Sequence, residues 1–369
     1  MIVSGGYAEK SNPLLGIFEL DQALALQKHG HKIILTSIDL RSIRRKRKLG
    51  FSHLYHKGIE VYNFSFPLGR VPKQISLWIG RFGLKRIYKK ILKANGIPDV
   101  IHAHFYNIAA IAAILKIKYN LPFVISEHNS LINKNEISKT EKYFVDNSYK
   151  FADKVIAVSS ALTCKIKQHF DIDSIVIPNI VDTSIFKTSC KKNANFTFVS
   201  VGSLIYGKGF DLLINAFHQS NFDKNVSLLI IGDGNERKNI EKQIRDFALT
   251  YQIKLLGQLP REAVQHIISA SFVFVLASRT ETFGVVYIEA MAAGLPVIAT
   301  KCGGPEDFIN DTNGLLVDVN DIGGLKTALI DMYQNFEKYD MREISEITKK
   351  QFSPEAIAKK LTKVYKSIE

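Results

Sequence analysis

Two acidic side chains, Glu281 and Glu289, lie with seven residues between them in the segment Ser278-Arg-Thr-Glu-Thr-Phe-Gly-Val-Val-Tyr-Ile-Glu-Ala-Met-Ala-Ala-Gly-Leu-Pro-Val-Ile-Ala-Thr300. Carboxylates accept hydrogen bonds, and the paired hydroxyls of a ribose or hexose are suitable donors. The segment follows the apolar run Phe272–Leu276, so Glu281 is expected in a strand-to-helix loop and Glu289 within the helix after it. Gly284 lets the backbone pass close to a ligand, and a helix starting there would offer its first free N–H groups to a diphosphate. A second segment, Val199-Ser-Val-Gly-Ser-Leu-Ile-Tyr-Gly-Lys-Gly-Phe-Asp-Leu-Leu-Ile-Asn-Ala-Phe217, reads as a strand, a glycine-bearing loop and an amphipathic helix. Lys208, between Gly207 and Gly209, has little crowding and can meet a phosphate as a point charge. Its surroundings do not match the phosphate-loop pattern G-x-x-x-x-G-K-[ST], and a lysine in a glycine loop is usually just solvated.

Histidines are the other candidates. His102 and His104 share one face at the end of a strand, where a packed pair explains them as well as a functional one. His128 ends the run Ser126-Glu-His128 and is the stronger candidate. Cys164, Cys190 and Cys302 are widely separated, so neither a disulfide framework nor a zinc site is suggested, and a cytoplasmic location is the working expectation.

These residues need a scaffold. A chain of 369 residues is long for one core, so two domains are expected. Strands are predicted at 32–38, 59–63, 99–103, 122–126 and 154–158, with helices at 15–29, 75–94, 108–118, 139–151 and 160–170. The alternation starts again with strands at 196–201, 227–231, 254–256, 272–276 and 296–299 and helices near 210–217, 236–249, 261–269 and 285–293. Such alternation builds parallel sheets, and two open α/β domains in tandem leave a cleft at the carboxyl ends of their strands. Residues 181–195 are polar without either period and read as a linker. Few residues precede Gly5, so the first strand is expected to be short, from a trimmed sheet edge or a late start. The longest purely apolar run, Ile108–Leu115, is too short to span a bilayer, and the N-terminus lacks signal-peptide features.

Taken together, the chain resembles the retaining glycosyltransferases of family 4, which have the two-domain GT-B fold. The resemblance rests on Glu281-x7-Glu289 in its setting and on five further motifs. These are Asp99-Val-Ile-His-Ala-His104, Ser126-Glu-His128, Ile177-Pro-Asn-Ile-Val-Asp182, Ile230-Ile-Gly-Asp-Gly234 and Cys302-Gly-Gly-Pro-Glu306, all in the family's order. It implies two Rossmann-like α/β domains with parallel sheets facing across a cleft. Residues 1–181 would be the acceptor side, 182–195 a linker, 196–351 the nucleotide-sugar domain, and 352–369 a helix crossing back to the first domain. By resemblance, Lys208 neutralises the donor diphosphate and the backbone of Phe283, Gly284 and Val285 holds phosphates and sugar. Glu281 would hold the transferred sugar, Glu289 the ribose, and His128 would sit near the reacting carbon. Gly16 would approach the phosphates from the other side, and the base would lie near Leu256-Gly257-Gln258. Many relatives carry an arginine where this chain has Ser203, so Arg279 or Lys301 is expected to assist Lys208. Asp171-Ile-Asp173 has the D-x-D form by which another glycosyltransferase fold holds a metal. It lies in a loop after a helix, and no metal or other cofactor is expected.

Charge is unevenly spread. Residues 1–180 hold 27 Lys and Arg against 13 Asp and Glu, whereas residues 181–369 hold 22 of each. A polyanionic partner for the first half follows, and a small ligand for the second. The basic run Arg41–Lys48 and a helix with Arg81, Lys85, Arg86, Lys89, Lys90 and Lys93 carry the excess, interleaved with Trp78, Ile79, Phe82, Ile87 and Tyr88. That mixture suggests peripheral docking to an anionic membrane, with a lipid-linked or polysaccharide acceptor; no nucleic-acid module accompanies it. The donor class stays open between UDP- and GDP-sugars. A nucleotide-sugar epimerase of the same fold and a non-catalytic membrane-associated subunit remain alternatives.

Overall fold

The computed structural model describes residues 1–8, 15–42, 44, 47–69, 71–134, 136–189 and 191–368. The chain forms two compact units, Met1–Ile180 with Pro354–Glu369, and Val181–Ser353. Cys190 and, in the basic run, Ile43, Arg45 and Lys46 lie outside the described residues.

In the first unit the chain runs through β1 (Ile2–Ser4), α1 (Ile17–Lys28), β2 (Ile34–Asp39), β3 (Gly50–His56), β4 (Ile59–Ser65) and α2 (Lys73–Asn95). It continues with β5 (Ile101–His104), α3 (Tyr106–Tyr119), β6 (Phe123–Glu127), α4 (Lys139–Tyr149), β7 (Lys154–Ala157), α5 (Ser160–Phe170) and β8 (Ile175–Val176). The sheet order is β3-β4-β2-β1-β5-β6-β7-β8. Among the described residues only β3 runs antiparallel, pairing Gly50–His56 against Ile59–Ser65. The short first strand is therefore not a trimmed edge: β1 sits mid-sheet between β2 and β5, with Ile2, Val3 and Ser4 all buried. A parallel strand covered on both faces favours apolar residues, as at Phe123, Val124 and Ile125 of β6.

The second unit contains β9 (Thr197–Val201), α6 (Phe210–Gln219), β10 (Ser227–Ile231), α7 (Arg237–Asp246), β11 (Ile253–Gly257) and α8 (Arg261–Ala270). Then follow β12 (Val273–Leu276), α9 (Val285–Ala292), β13 (Val297–Thr300), β14 (Gly314–Val317), α10 (Ile322–Gln334) and α11 (Met341–Phe352). Its sheet is wholly parallel in the order β11-β10-β9-β12-β13-β14. The described part of 182–195, expected as a linker, belongs to this unit. Phe186 is fully buried, Asn193 N–H donates to the Ala270 carbonyl at 2.8 Å, and the Lys192 ammonium donates to the Ser271 carbonyl at 2.6 Å. The polar character that suggested a linker is used to close the end of α8.

The last helix, α12 (Pro354–Lys366), returns to the first unit, where Ile357, Ala358, Leu361 and Tyr365 join Leu20, Ala23 and Leu26 of α1 in one apolar cluster. Among the described residues, no helix is long and apolar enough to cross a membrane.

Candidate active site

In the second unit the strand order reverses between β9 and β12, since β10 and β11 build out on one side and β13 and β14 on the other. Loops that leave two such strands diverge, and the crevice between them is where open α/β sheets take ligands. Here those loops carry Lys208, after β9, and Glu281, after β12.

Lys208 ends a single 3-10 turn, Tyr206–Lys208, and Gly209 then adopts φ 65° to open α6. A Cβ at Gly209 would lie 1.9 Å from the carbonyl oxygen of Ala277, so only glycine lets the loop after β9 touch the end of β12. That approach brings the Lys208 ammonium to Oε1 of Glu281 at 2.5 Å. Ser278 Oγ donates to the same oxygen at 2.8 Å, and Glu281 is only 7% exposed. The loop after β13 holds the acid from behind: Glu281 N–H donates to the Cys302 carbonyl at 3.2 Å, and Gly304 N–H to the Glu281 carbonyl at 3.3 Å.

Gly284, with φ 89°, starts α9, and no side chain among the described residues caps its first turn. The free amides there carry the positive end of the helix dipole beside the Lys208–Glu281 pair. Phe283 turns its ring inward against Phe308 and Phe352. Val285, the first helical residue, is half-buried. Glu289, one turn further and nearly buried, accepts a hydrogen bond from Arg261 Nη2 at 3.0 Å. Arg261 had no role in the sequence reading, yet a signal exists. It stands at the first position of α8, where the helix dipole disfavours a cation unless a carboxylate answers it.

Leu256 and Gly257 are half-buried at the end of β11, with the Gly257 carbonyl accepting from Gly232 N–H at 2.8 Å. Ser203 is exposed. The two cations expected to compensate for it are engaged elsewhere. Arg279 makes a two-pronged ion pair with Asp211 of α6 at 2.9 and 2.7 Å and lies 3.9 Å over the Tyr206 ring. Lys301 pairs with Asp318 at 2.8 Å. Arg279 thus ties the loop after β12 to α6, the bidentate geometry that favours arginine over lysine.

In the first unit, Gly16 (φ 66°) opens α1 so close to the turn after β1 that a Cβ would lie 2.4 Å from the Gly6 carbonyl oxygen. His128 follows β6 and is 7% exposed, its ring parallel to Phe18 at 5.7 Å and to His104 at 5.2 Å. Burial lowers its pKa to about 4, with the Asn179 side chain opposing, so the imidazole is neutral. His102 and His104 are packed inside, stacked at 4.6 Å. Glu127 is the middle residue of the Ser126-Glu-His128 motif. It is fully buried and takes four donors: Tyr106 N–H at 3.0 Å, His128 N–H at 3.0 Å, Asn129 N–H at 2.8 Å and the Tyr149 hydroxyl at 2.8 Å. This carboxylate fixes the loop that carries His128 and the start of α3 together. Asp171 and Asp173 are surface groups paired with Lys167 at 2.9 and 3.1 Å. Among the described residues no cluster of three or more His, Cys, Asp or Glu has metal-site geometry.

Comparison with known proteins fits this arrangement. The family model for glycosyl transferases group 1 matches residues 181–351, and that for glycosyltransferase family 4 matches residues 18–185. An uncharacterised glycosyltransferase of Methanocaldococcus jannaschii is 32% identical over 288 residues, 77% of this chain and 79% of the relative. A Bacillus subtilis protein named as a teichuronic acid biosynthesis glycosyltransferase is 27% identical over 354 residues, 89% of this chain and 87% of the relative. The solved structure of Anabaena HepE in complex with UDP and glucose aligns over 99% of both chains, with a TM-score of 0.76 at 20% identity. Two parallel-sheet Rossmann-like units of this kind are the GT-B fold, and the chain belongs to the group 1, family 4 glycosyltransferases.

Proposed function

We propose that this glycosyltransferase moves a sugar from a UDP- or GDP-sugar to a lipid-linked or polysaccharide acceptor of the cell surface, with retention at the anomeric carbon and without a metal ion. The observation that carries the reading is the Lys208–Glu281 pair at the strand reversal, beside the uncapped start of α9. As the bond between sugar and diphosphate breaks, negative charge grows on the leaving phosphate, where a lysine and helix amides stabilise it. An arriving diphosphate can take Lys208 from Glu281, which frees the carboxylate to accept sugar hydroxyls. Glu289, held by Arg261, is suited to a ribose in the same way. Both acids are thus assigned to binding hydroxyls and not to the nucleophile and proton donor of a two-carboxylate hydrolase. A same-face reaction, in which the leaving phosphate helps to deprotonate the acceptor, suits such a site. The UDP bound to HepE supports a nucleotide-sugar donor, and the teichuronic acid biosynthesis in the name of the Bacillus relative supports an acceptor in glycan synthesis.

The acceptor side of the proposal rests on α2. Ile87 and Tyr88, expected among the apolar residues that interleave with its charges for membrane docking, face the core instead, as do Leu84 and Ile91. The outward stripe instead runs Ile75, Trp78, Phe82, Arg86, Lys89 and Lys93 at helical spacing, apolar first and basic last. Trp78 is 70% exposed, and the Arg86 guanidinium lies 4.6 Å from the Phe82 ring. A face that joins aromatic wedges to cations, in the half that carries all the net charge, fits the interface of an anionic bilayer. Sedimentation with phosphatidylglycerol vesicles is expected, weakened by salt and by Trp78→Ser with Phe82→Ser; equal binding to neutral vesicles, or none, would remove the membrane from the account.

Thermal unfolding with a panel of UDP- and GDP-sugars, with and without magnesium, tests the donor site. One nucleotide class should stabilise the protein without magnesium, and in Glu281→Gln the sugar should add nothing beyond the free nucleotide. Stabilisation by no nucleotide would favour a non-catalytic subunit, and a strict magnesium requirement would overturn the metal-free reading.

A further inference from the structure

Arg279, expected to assist Lys208 at the donor phosphates, meets the lysine's own turn instead. Its backbone N–H donates to the Gly207 carbonyl at 2.8 Å, and its Nη1 donates to the Tyr206 carbonyl at 2.6 Å. The guanidinium also lies 3.9 Å over the Tyr206 ring. One residue thus holds two successive carbonyls of the turn that ends in Lys208. The guanidinium is itself fixed: Nη1 and Nη2 donate to the two carboxylate oxygens of Asp211, and Nε donates to Oδ1 of Asn320 at 3.0 Å. Four of the five donors of a guanidinium are taken in this way, and the side chain is only 12% exposed. Its charge is answered by Asp211 and its donors are spent in place, so it is poorly disposed to take a phosphate itself.

The turn needs such a hold. Its ends are anchored through backbone: Leu204 N–H donates to the Asp233 carbonyl at 3.0 Å, and Gly209 lies against the Ala277 carbonyl. Between those ends packing does little. Ile205 is 44% and Tyr206 66% exposed, and a Cβ at Gly207 would meet nothing within 4 Å. Exposed turns with few packed contacts open at low cost. Lys208 sends its ammonium to Glu281 from this turn, so any drift of the backbone carries the charge off its aim. A lysine could not replace Arg279, because one ammonium lacks the planar fork that serves both carboxylate oxygens and a carbonyl together.

We infer that Arg279 is a positioning residue for Lys208: clamped by Asp211, it holds the carbonyls of Tyr206 and Gly207 and so presets the turn that aims the Lys208 ammonium. It acts through Lys208 and touches neither phosphate nor sugar. The hold on the turn stands on these contacts alone, while its use for a diphosphate rests on the proposed function.

Amide hydrogen exchange of the full chain tests the hold without any ligand. The reporters are the N–H groups of Lys208 and Gly209, which close the turn on the Ile205 and Tyr206 carbonyls. In Arg279→Lys, which keeps a cation beside Asp211, both should exchange roughly tenfold faster, with β9 and the interior of α6 unchanged. Asp211→Asn, which loosens the same clamp, should speed the same two amides. Unchanged exchange there, or equal acceleration throughout the unit, would overturn the inference. Calorimetric titration of UDP and GDP then tests the aim. Arg279→Lys should bind the preferred nucleotide roughly tenfold more weakly than the unmodified chain. Added to Lys208→Ala, it should change affinity by less than about twofold, because both act through one group. Full affinity in Arg279→Lys, or the same tenfold loss in both backgrounds, would contradict a role exerted through Lys208. If neither nucleotide binds the unmodified chain, the functional reading fails and hydrogen exchange alone decides whether Arg279 holds the turn.

Discussion

Replacing Glu127 by glutamine changes one oxygen into an amide nitrogen and nothing else, so its effect can be worked bond by bond. Oε1 accepts from the backbone of His128 and Asn129, and Oε2 from Tyr106 N–H and the Tyr149 hydroxyl. The glutamine oxygen can keep only one pair. If the amide nitrogen takes the Oε2 position, the Tyr149 hydroxyl can rotate and accept from it, but Tyr106 N–H cannot. One buried donor at the start of α3 is orphaned, at about 1–3 kcal/mol. A unit of this size loses roughly 2–4 °C per kcal/mol, so Glu127→Gln should melt roughly 2–12 °C lower by calorimetry. The deficit should also depend on pH. Burial raises the Glu127 pKa from 4.5 to about 7 despite the four donors. A carboxyl group raised in the folded state stabilises below its unfolded pKa, and that contribution is lost as pH rises through the folded value. Glutamine has no such dependence, so the deficit should be larger at pH 5 than at pH 8. An unchanged melting temperature, or a deficit that grows with pH, would refute the idea that Glu127 ties the His128 loop to α3.

Other consequences follow from the same contacts. His102 and His128 have pKa values lowered to about 3 and about 4, so their contribution to stability is present above the unfolded value of 6.5. It should fall away as pH drops from there towards 3, and urea titrations at several pH values would detect the slope. Arg261→Met leaves the Glu289 carboxylate nearly buried without its cation. Because Arg261 is 23% exposed, a cost of about 2 kcal/mol is expected rather than the larger cost of a fully buried pair. Combining it with Glu289→Met should return most of that loss, and failure to do so would show that the pair is not the source. In Gly304→Ala the new Cβ would lie 2.3 Å from the Phe283 Cα and 2.5 Å from its carbonyl oxygen, so the loop must shift. Nucleotide-sugar affinity should fall at least tenfold by calorimetry, and unchanged affinity would dissociate this loop from the site.

Much of the fold could be read because its strands are buried on both faces. β12 and β13 are short, mostly apolar runs that need no long-range information. The glycine loops around Lys208 and Glu281 were visible for a related reason, since close backbone approach leaves a mark on composition at the place where it occurs. Edge strand β3 left no such mark. Its Ser52-His-Leu-Tyr-His56 alternates between the sheet and solvent, and only its pairing with β4 makes it a strand. Partners across the fold were equally hidden. Arg279 looked free for a phosphate until α6 placed Asp211 against it, and Arg261 and Glu289 are 28 residues apart. The interleaving of aromatic and basic residues on α2 was visible, but the turn of the helix decides that Ile87 and Tyr88 point inward while Trp78 and Phe82 do not.

The account depends most on Lys208 as the cation for a donor diphosphate. Calorimetric titration of UDP and GDP into the unmodified chain and into Lys208→Ala, without magnesium, addresses it directly. One nucleotide should bind the unmodified protein and bind Lys208→Ala at least tenfold more weakly, a loss of about 1.4 kcal/mol or more. Equal affinity in the two proteins, or no binding of either nucleotide, would contradict the assignment of the site.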